Sequence, residues 1–184
     1  ALLIGSVYVN DRVPEDESDM SSRATTIFVS FLFMGVNSLN TVLAIFETER
    51  NMYYRHKAAL MYDKMAISAA FTVAELPFIF LASLIFVSIF YFMMGFAADA
   101  AKFFLFYFFF FMTMGSFTFL GQMFVALNRD AQTAQGFGGL VVTLTSLFTG
   151  VLIRPENIPQ FWSWLYWVMP GHYIFEGLIV SQFD

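Results

Sequence analysis

Long stretches without charge alternate along the chain with short segments that carry most of its charged residues. The charge-free stretches are 24–46, 76–98, 103–128 and 131–153. A helix rises about 1.5 Å per residue and the hydrocarbon core of a bilayer is about 30 Å thick, so about 20 residues span it. The pattern therefore predicts four complete transmembrane helices, preceded by part of another. They are expected at about 1–9 (partial), 24–46, 70–98, 103–128 and 131–153.

The last apolar segment has a different pattern from the four predicted spans. It reads NIPQFWSWLYWVMPGHYIF, is interrupted by Pro159 and by Pro170, and holds all three tryptophans of the chain. Tryptophan and tyrosine favour the headgroup region, where an amphipathic ring meets both water and lipid. We therefore expect residues 155–180 to form a re-entrant or interfacial segment instead of a straight span.

The distribution of charge between the predicted spans indicates which side of the membrane each loop occupies. The segment 47–64 gathers most of the basic residues on its side, whereas the segment 10–23 on the other side is acidic. Basic residues are enriched in cytosolic loops. We therefore expect 47–64 to be cytosolic, and 10–23 and the region after 153 to lie on the outer side.

Composition supports a membrane protein and excludes several other classes. The chain is 59% hydrophobic and 20% aromatic but only 12% charged, whereas about a quarter of the residues of a soluble domain are charged. It has no cysteine, which excludes disulfides and thiolate chemistry, and no basic stripe that would favour nucleic acid. We expect an all-α integral membrane bundle. Its apolar start, ALLIGSVYV, is typical of a fragment that begins inside a membrane helix.

Two carboxylates are candidates for burial in or near the membrane. Glu75 precedes Leu76 and Pro77, an arrangement typical of the first turn of a helix, where an acid suits the dipole and proline suits the first position. A functional polar contact within the membrane is the alternative. Glu176 follows the tryptophan-rich segment, and we expect it near the interface.

Other polar residues within the predicted spans suggest no catalytic chemistry. The cluster Asn37, Ser38, Asn40 and Thr41 would lie at mid-membrane, where such groups either join helices or face a wet cavity. The two histidines are expected on opposite sides of the membrane, so we predict no metal site. The chain also lacks the glycine-rich loop that binds nucleotide phosphates, so we expect no cofactor and no enzymatic activity in this chain alone.

Two stretches resemble the membrane domain of G-subfamily ABC exporters, most closely the pleiotropic-drug-resistance branch. The first is ETERNMYYRHKAALMYDK, followed by AELPF and FYFMMGF; the second is TGVLIRPENIPQFWSWLYWVMPGHYIFEGLIVSQF. Order and spacing match over nearly the whole chain. One departure is Leu60, where the family often has glycine.

The resemblance implies the bundle of a type-2 ABC exporter permease, comprising the end of helix one, helices two to five and part of the outer loop. It implies an ATP-driven exporter of lipids, sterols or amphipathic xenobiotics in the plasma membrane. ATP and Mg²⁺ would be bound by a separate nucleotide-binding domain of the full-length protein. The implied partners are that domain, a second transmembrane half, the lipid bilayer and a hydrophobic small-molecule substrate.

The resemblance also implies roles for residues of this chain. Coupling to the nucleotide-binding domain is expected of Glu47, Glu49, Arg50, Tyr54, Arg55, His56 and Lys57. The substrate cavity is expected to include Phe33, Met34, Asn37, Thr143, Leu144, Ser146, Leu147 and Phe148. Val151 and Leu152 would close its exit.

Two other classes of function stay open at this point. An ATP-independent channel or secondary carrier would show charged or broken helices at mid-span, and the predicted spans show neither. An intramembrane enzyme would need paired catalytic groups at one depth, and the sequence shows none.

Overall fold

The computed structural model describes residues 17–59, 61–96, 99–128, 130–149, 153 and 158–183; of 17–20, 64, 131 and 181–183 it describes only the backbone. Six helices follow one another: α1 Glu17–Ala58, α2 Lys64–Met93, α3 Ala100–Leu127, α4 Ala131–Phe148, α5 Ser163–Val168 and α6 Pro170–Phe183. These ranges contain no strand. The prediction of an all-α bundle is confirmed.

Three of the described helices are long and apolar enough to cross a membrane, whereas the sequence predicted four complete spans. They are Ser21–Ala58 within α1, Met65–Met93 within α2, and α3. The fourth predicted span, 131–153, contains α4, which has 18 residues and is about 27 Å long. That is slightly less than the hydrocarbon thickness of about 30 Å. The predicted partial span 1–9 lies outside the described residues.

The first two helices extend beyond the stretches that hydropathy marks. The segment 47–58 continues α1 without a break instead of forming a separate hairpin, because it lacks proline and glycine and is rich in good helix formers. α2 begins at Lys64, so Glu75 lies about three turns inside it. The expectation that Glu75 and Pro77 form the first turn of a helix is therefore wrong. Leu60, at the turn, lies outside the described residues.

The core is built around α3, which packs against α1, α2, α4 and α6. Stacked phenylalanines join α2 to α3: the ring centroids of Phe86 and Phe110 are 5.0 Å apart and those of Phe90 and Phe106 are 6.3 Å apart. All four rings are buried. Offset aromatic pairs add to the stability that burial gives. The phenylalanines of α2 and α3 therefore form a packing surface between these helices.

The contact between α1 and α3 depends on a small residue. A Cβ atom at Gly35 would lie 2.6 Å from the ring of Phe117, and Phe117 is also in edge contact with Phe31, with centroids 6.0 Å apart. Small residues allow the close approach that membrane helices need, because lipid supplies no hydrophobic force between helices.

The short helices α5 and α6 occupy most of the segment that was predicted to be re-entrant or interfacial. α6 has 14 residues within the described part of the chain. It returns into the bundle and packs against α3 and α4, where Ile174, Phe175 and Leu178 are buried. Phe175 makes an edge contact with Phe28 of α1, with centroids 5.7 Å apart.

Candidate functional site

The candidate coupling segment is the end of α1 together with the turn to α2. Its side chains divide into two faces of the helix. Glu47, Tyr54, Arg55 and Lys57 are exposed, whereas Glu49, Arg50 and His56 are half-buried. The exposed group offers charge and an aromatic ring to a soluble partner. The half-buried group contacts the chain itself.

Arg50 attaches this segment to the end of α3. Its Nη1 atom donates to the carbonyl oxygen of Asn128 at 2.7 Å and to that of Val125 at 3.4 Å. The last carbonyls of a helix have no partner within the helix, and a cation suits the negative end of the helix dipole. These hydrogen bonds join the end of α1 to the end of α3, the central helix.

Side-chain contacts also order the turn between α1 and α2. His56 Nδ1 and the hydroxyl of Tyr62 form a hydrogen bond, and the two rings meet edge to face with centroids 5.5 Å apart. The ammonium of Lys57 lies 6.0 Å from the centroid of the Tyr53 ring. These contacts hold the two helix ends as a hairpin.

A polar face runs along the exposed sides of α1 and α4. On α1 it carries Asn37, Asn40 and Thr41, and on α4 it carries Gln132, Gln135 and Thr143, all of them exposed. These positions recur every three to four residues, which places them on one face of each helix. One contact joins the two helices, from Gln135 Nε2 to Asn40 Oδ1 at 3.5 Å.

The remaining polar groups of this face bond mainly to their own helices. Asn37 donates to the carbonyl oxygen of Phe33 at 2.8 Å, and Thr143 donates to that of Gly139 at 2.9 Å. Ser146 likewise donates to the carbonyl oxygen of Thr143 at 2.8 Å. Such bonds leave spare hydrogen-bonding capacity that suits a wet cavity or another polypeptide.

The predicted cavity residues fall into two places. Leu144, Leu147 and Phe148 line an apolar pocket of about 310 Å³ at the outer end of α4, which Trp162 also lines. Phe33 and Asn37 lie instead on the exposed side of α1, and Met34 is half-buried there. Within the described residues, the structure does not bring the eight predicted residues into one pocket. Val151 and Leu152 lie outside the described residues.

His172 occupies an aromatic cluster at the start of α6. Its ring centroid lies 4.0 Å from that of Tyr166 and 4.8 Å from that of Tyr173. Its Nε2 atom is 3.6 Å from the Glu176 carboxylate, which is itself exposed. Burial lowers the pKa of His172, and the Glu176 charge opposes this in part. The cluster is a packing element in which burial favours the neutral imidazole.

Arg23 and Tyr53 have structural roles that the sequence did not reveal. Arg23 is buried, and its Nη1 atom donates to the carbonyl oxygen of Met94 at 2.9 Å. It thus caps the end of α2 as Arg50 caps α3. Tyr53 is half-buried while its neighbour Tyr54 is exposed. The sequence contained one indication of this capping role. Arg23 lies at the edge of a predicted span, and a basic residue there lies near the ends of other helices.

Comparison with known proteins decides the family. Residues 1–183 match the ABC-2 type transporter family. The chain belongs to that family. It is 35% identical over 184 residues to ABC transporter G family member 53 of Oryza sativa subsp. japonica, covering 100% of this chain and 13% of that relative.

Two further relatives agree with this assignment. ABC transporter G family member 36 of Arabidopsis thaliana is 32% identical over 184 residues, which cover 100% of this chain and 12% of that relative. Pleiotropic drug resistance protein 1 of Nicotiana tabacum is 31% identical over 185 residues, with coverage of 100% and 13%. The predicted resemblance to G-subfamily ABC exporters is confirmed. The chain spans between 12% and 13% of the length of these curated relatives.

As an ABC-2 membrane domain, the chain is an integral membrane protein with a role in transport. Membership of this family accounts for the apolar helices. Among the described residues, no three His, Cys, Asp or Glu side chains converge on a possible metal position.

Proposed function

We propose that this ABC-2 domain is the permease part of an ATP-driven exporter of lipids, sterols or amphipathic xenobiotics at the plasma membrane. ATP and Mg²⁺ bind to a nucleotide-binding domain elsewhere in the full-length protein. A second transmembrane half, in a dimer or pseudo-dimer, completes the path for the substrate.

The proposal rests on the difference between the two faces of the end of α1. One face is exposed and charged, with Tyr54, Arg55 and Lys57, while Arg50 on the other face bonds to the end of α3. A nucleotide-binding domain that moves against the exposed face therefore moves the central membrane helix. A plain surface loop would need no such attachment.

The polar face of α1 and α4 supports a transport path beside this lever. Exposed amide groups at membrane depth are costly against lipid, so we infer that Asn37, Asn40 and Gln135 face the second half across a hydrated space. Phe33 of α1 adds an apolar surface that is 59% exposed. Apolar rings beside adaptable polar groups suit large amphipathic substrates.

The test is ATP-dependent accumulation of labelled amphipaths in inside-out vesicles that carry the full-length protein. We expect wild-type vesicles to accumulate substrate with ATP. We expect the double variant Tyr54→Ala/Arg55→Ala to lose most of this uptake while it still binds ATP, because its exposed face no longer engages the nucleotide-binding domain.

The matched control is Phe104→Ala, which truncates an exposed aromatic residue on α3, far from the coupling segment. It should retain uptake. Uptake that follows an ion gradient and ignores ATP would instead identify a secondary carrier. Uptake that survives in the double variant would contradict the coupling role of the end of α1.

A further inference from the structure

A cleft separates the end of α1 from the start of α2 on the predicted cytosolic side. Within the described residues, both helices pack on α3, and aromatic side chains join the two segments directly at the two ends of the cleft. The rings of Phe46 and Phe71, with centroids 5.0 Å apart, close the cleft toward the membrane. The hydrogen-bonded pair His56 and Tyr62 closes it at the turn.

Two cavities fill this cleft, with volumes of about 240 Å³ and 360 Å³. They share four lining residues, Glu49, Tyr53, Ile67 and Phe71. The walls are therefore aromatic and aliphatic, with one carboxylate common to both. Together the cavities reach the size of sites that hold small organic molecules.

The charge in the cleft is unbalanced at Glu49. This half-buried carboxylate forms no ion pair or hydrogen bond with another described residue. Arg50 lines the smaller cavity, but its guanidinium donates to the carbonyl oxygens at the end of α3. The cleft thus combines a negative charge with the faces of aromatic rings.

We propose that this cleft is a binding site for a small amphipathic organic cation, separate from the transport path on the exposed face of α1 and α4. The cationic group lies between the Glu49 carboxylate and the Tyr53 ring, and the apolar body of the ligand contacts Ile67 and Phe71. Aromatic rings beside a carboxylate recognise quaternary ammonium groups. The ammonium of Lys57 lies 6.0 Å from the Tyr53 centroid, at the outer limit of a cation–π contact.

The site would be detected by photolabelling of the full-length protein in lipid nanodiscs, without ATP. The probe is 4-azidobenzyltrimethylammonium, and labelled peptides are identified by mass spectrometry. We expect label within residues 46–71. The competitor phenyltrimethylammonium should abolish it, whereas tert-butylbenzene, which has the same shape without the charge, should compete about fivefold more weakly.

Two variants that each remove one negative charge distinguish binding at this site from a general effect of surface charge on labelling. Glu49→Gln should reduce labelling by up to about fivefold, whereas Glu47→Gln, which alters an exposed carboxylate that lines neither cavity, should leave it unchanged. Tyr53→Leu keeps an apolar wall and should also reduce labelling. Lys57→Gln should increase it, because a competing positive charge is removed.

Label outside 46–71, equal competition by tert-butylbenzene, or equal labelling of the Glu49→Gln and Glu47→Gln variants would overturn the proposal. If size-exclusion chromatography shows that Glu49→Gln does not fold, the labelling of Tyr53→Leu decides instead. Because labelling is measured without ATP, the site can fail while ATP-driven uptake stands, and the reverse also holds.

Discussion

At the scale of single residues, function in this domain depends on which side chains the packing leaves exposed. Glu47 and Glu49 are two positions apart on α1, yet one is exposed and the other lines two cavities. Tyr53 and Tyr54 differ in the same way. Helical geometry turns neighbouring residues about 100° apart, so equal residue types acquire different partners.

The close contact at Gly35 gives a prediction about stability. Gly35→Ala should lower the free energy of unfolding by about 1–3 kcal/mol, because a Cβ atom there would lie 2.6 Å from the buried Phe117 ring. The control is Gly136→Ala, where a Cβ meets nothing within 4 Å; helix propensity favours that change by up to about 1 kcal/mol. Thermal unfolding in detergent measures both, and equal midpoints would contradict the packing account.

The aromatic cluster at His172 gives a prediction about pH. Because burial lowers the pKa of His172, the unfolded chain binds a proton more readily than the folded one. Stability is therefore lost as the pH falls through the ordinary histidine value of about 6.5. We expect the thermal midpoint to fall between pH 7 and pH 5 by more in the wild type than in His172→Gln. Glu176→Gln should enlarge the loss, and a loss of equal size in all three proteins would refute the assignment.

At the scale of elements, the helix ends determine how the bundle is held together. Arg23 at the start of α1 and Arg50 near its end bond to the last carbonyls of α2 and α3. Side chains of α1 thus connect it to the ends of α2 and α3. This arrangement satisfies backbone groups that lipid cannot.

Arg23→Gln tests the cap on α2. The change removes the hydrogen bond to the Met94 carbonyl at 2.9 Å, and we expect a loss of about 1.5–3 kcal/mol in the free energy of unfolding. Arg55→Gln alters the net charge equally at an exposed position and should have little effect. Chemical or thermal unfolding of both variants makes the comparison; indistinguishable curves would show that the cap contributes nothing.

At the scale of the whole molecule, the contacts of α1 place the loops at two ends of the bundle. Arg23 lies beside Met94 at one end, and Arg50 lies beside Asn128 at the other. This is the arrangement that alternating membrane helices require. The sidedness itself, with 47–64 in the cytosol, stays a prediction from the distribution of basic residues.

Cysteine labelling would determine the sidedness, because the chain has no cysteine of its own. In a full-length protein whose other cysteines are replaced, Asp99→Cys should react with a membrane-impermeant maleimide on intact cells. Lys57→Cys should react only after permeabilisation. Both positions are exposed in this domain, and labelling of Lys57→Cys after permeabilisation controls for its cover by a nucleotide-binding domain. The reverse pattern would invert the topology and remove the coupling segment from the cytosol.

The extent to which the sequence predicts this protein differs between these scales. Charge-free stretches identified the membrane helices, because the energetic cost of charge in lipid is large and local. Helix ends were less predictable: nothing in hydropathy showed that α1 would continue to Ala58 or that Glu75 would lie inside α2. Helix propensity and tertiary packing set those ends, and a hydropathy window reports neither.

The sequence by itself determined the membrane class, the helical fold and the family, since composition, span length and motif order do not depend on how the helices pack. Only the tertiary structure decided that Arg50 bonds to the end of α3, that Glu49 lines a cleft, and that the predicted cavity residues lie in two places. Those facts depend on contacts between different segments of the chain, from Glu49 and Phe71 in the cleft to Arg50 and Asn128, which are 78 positions apart. Such contacts arise from the way whole helices meet, and no local pattern in the chain records them.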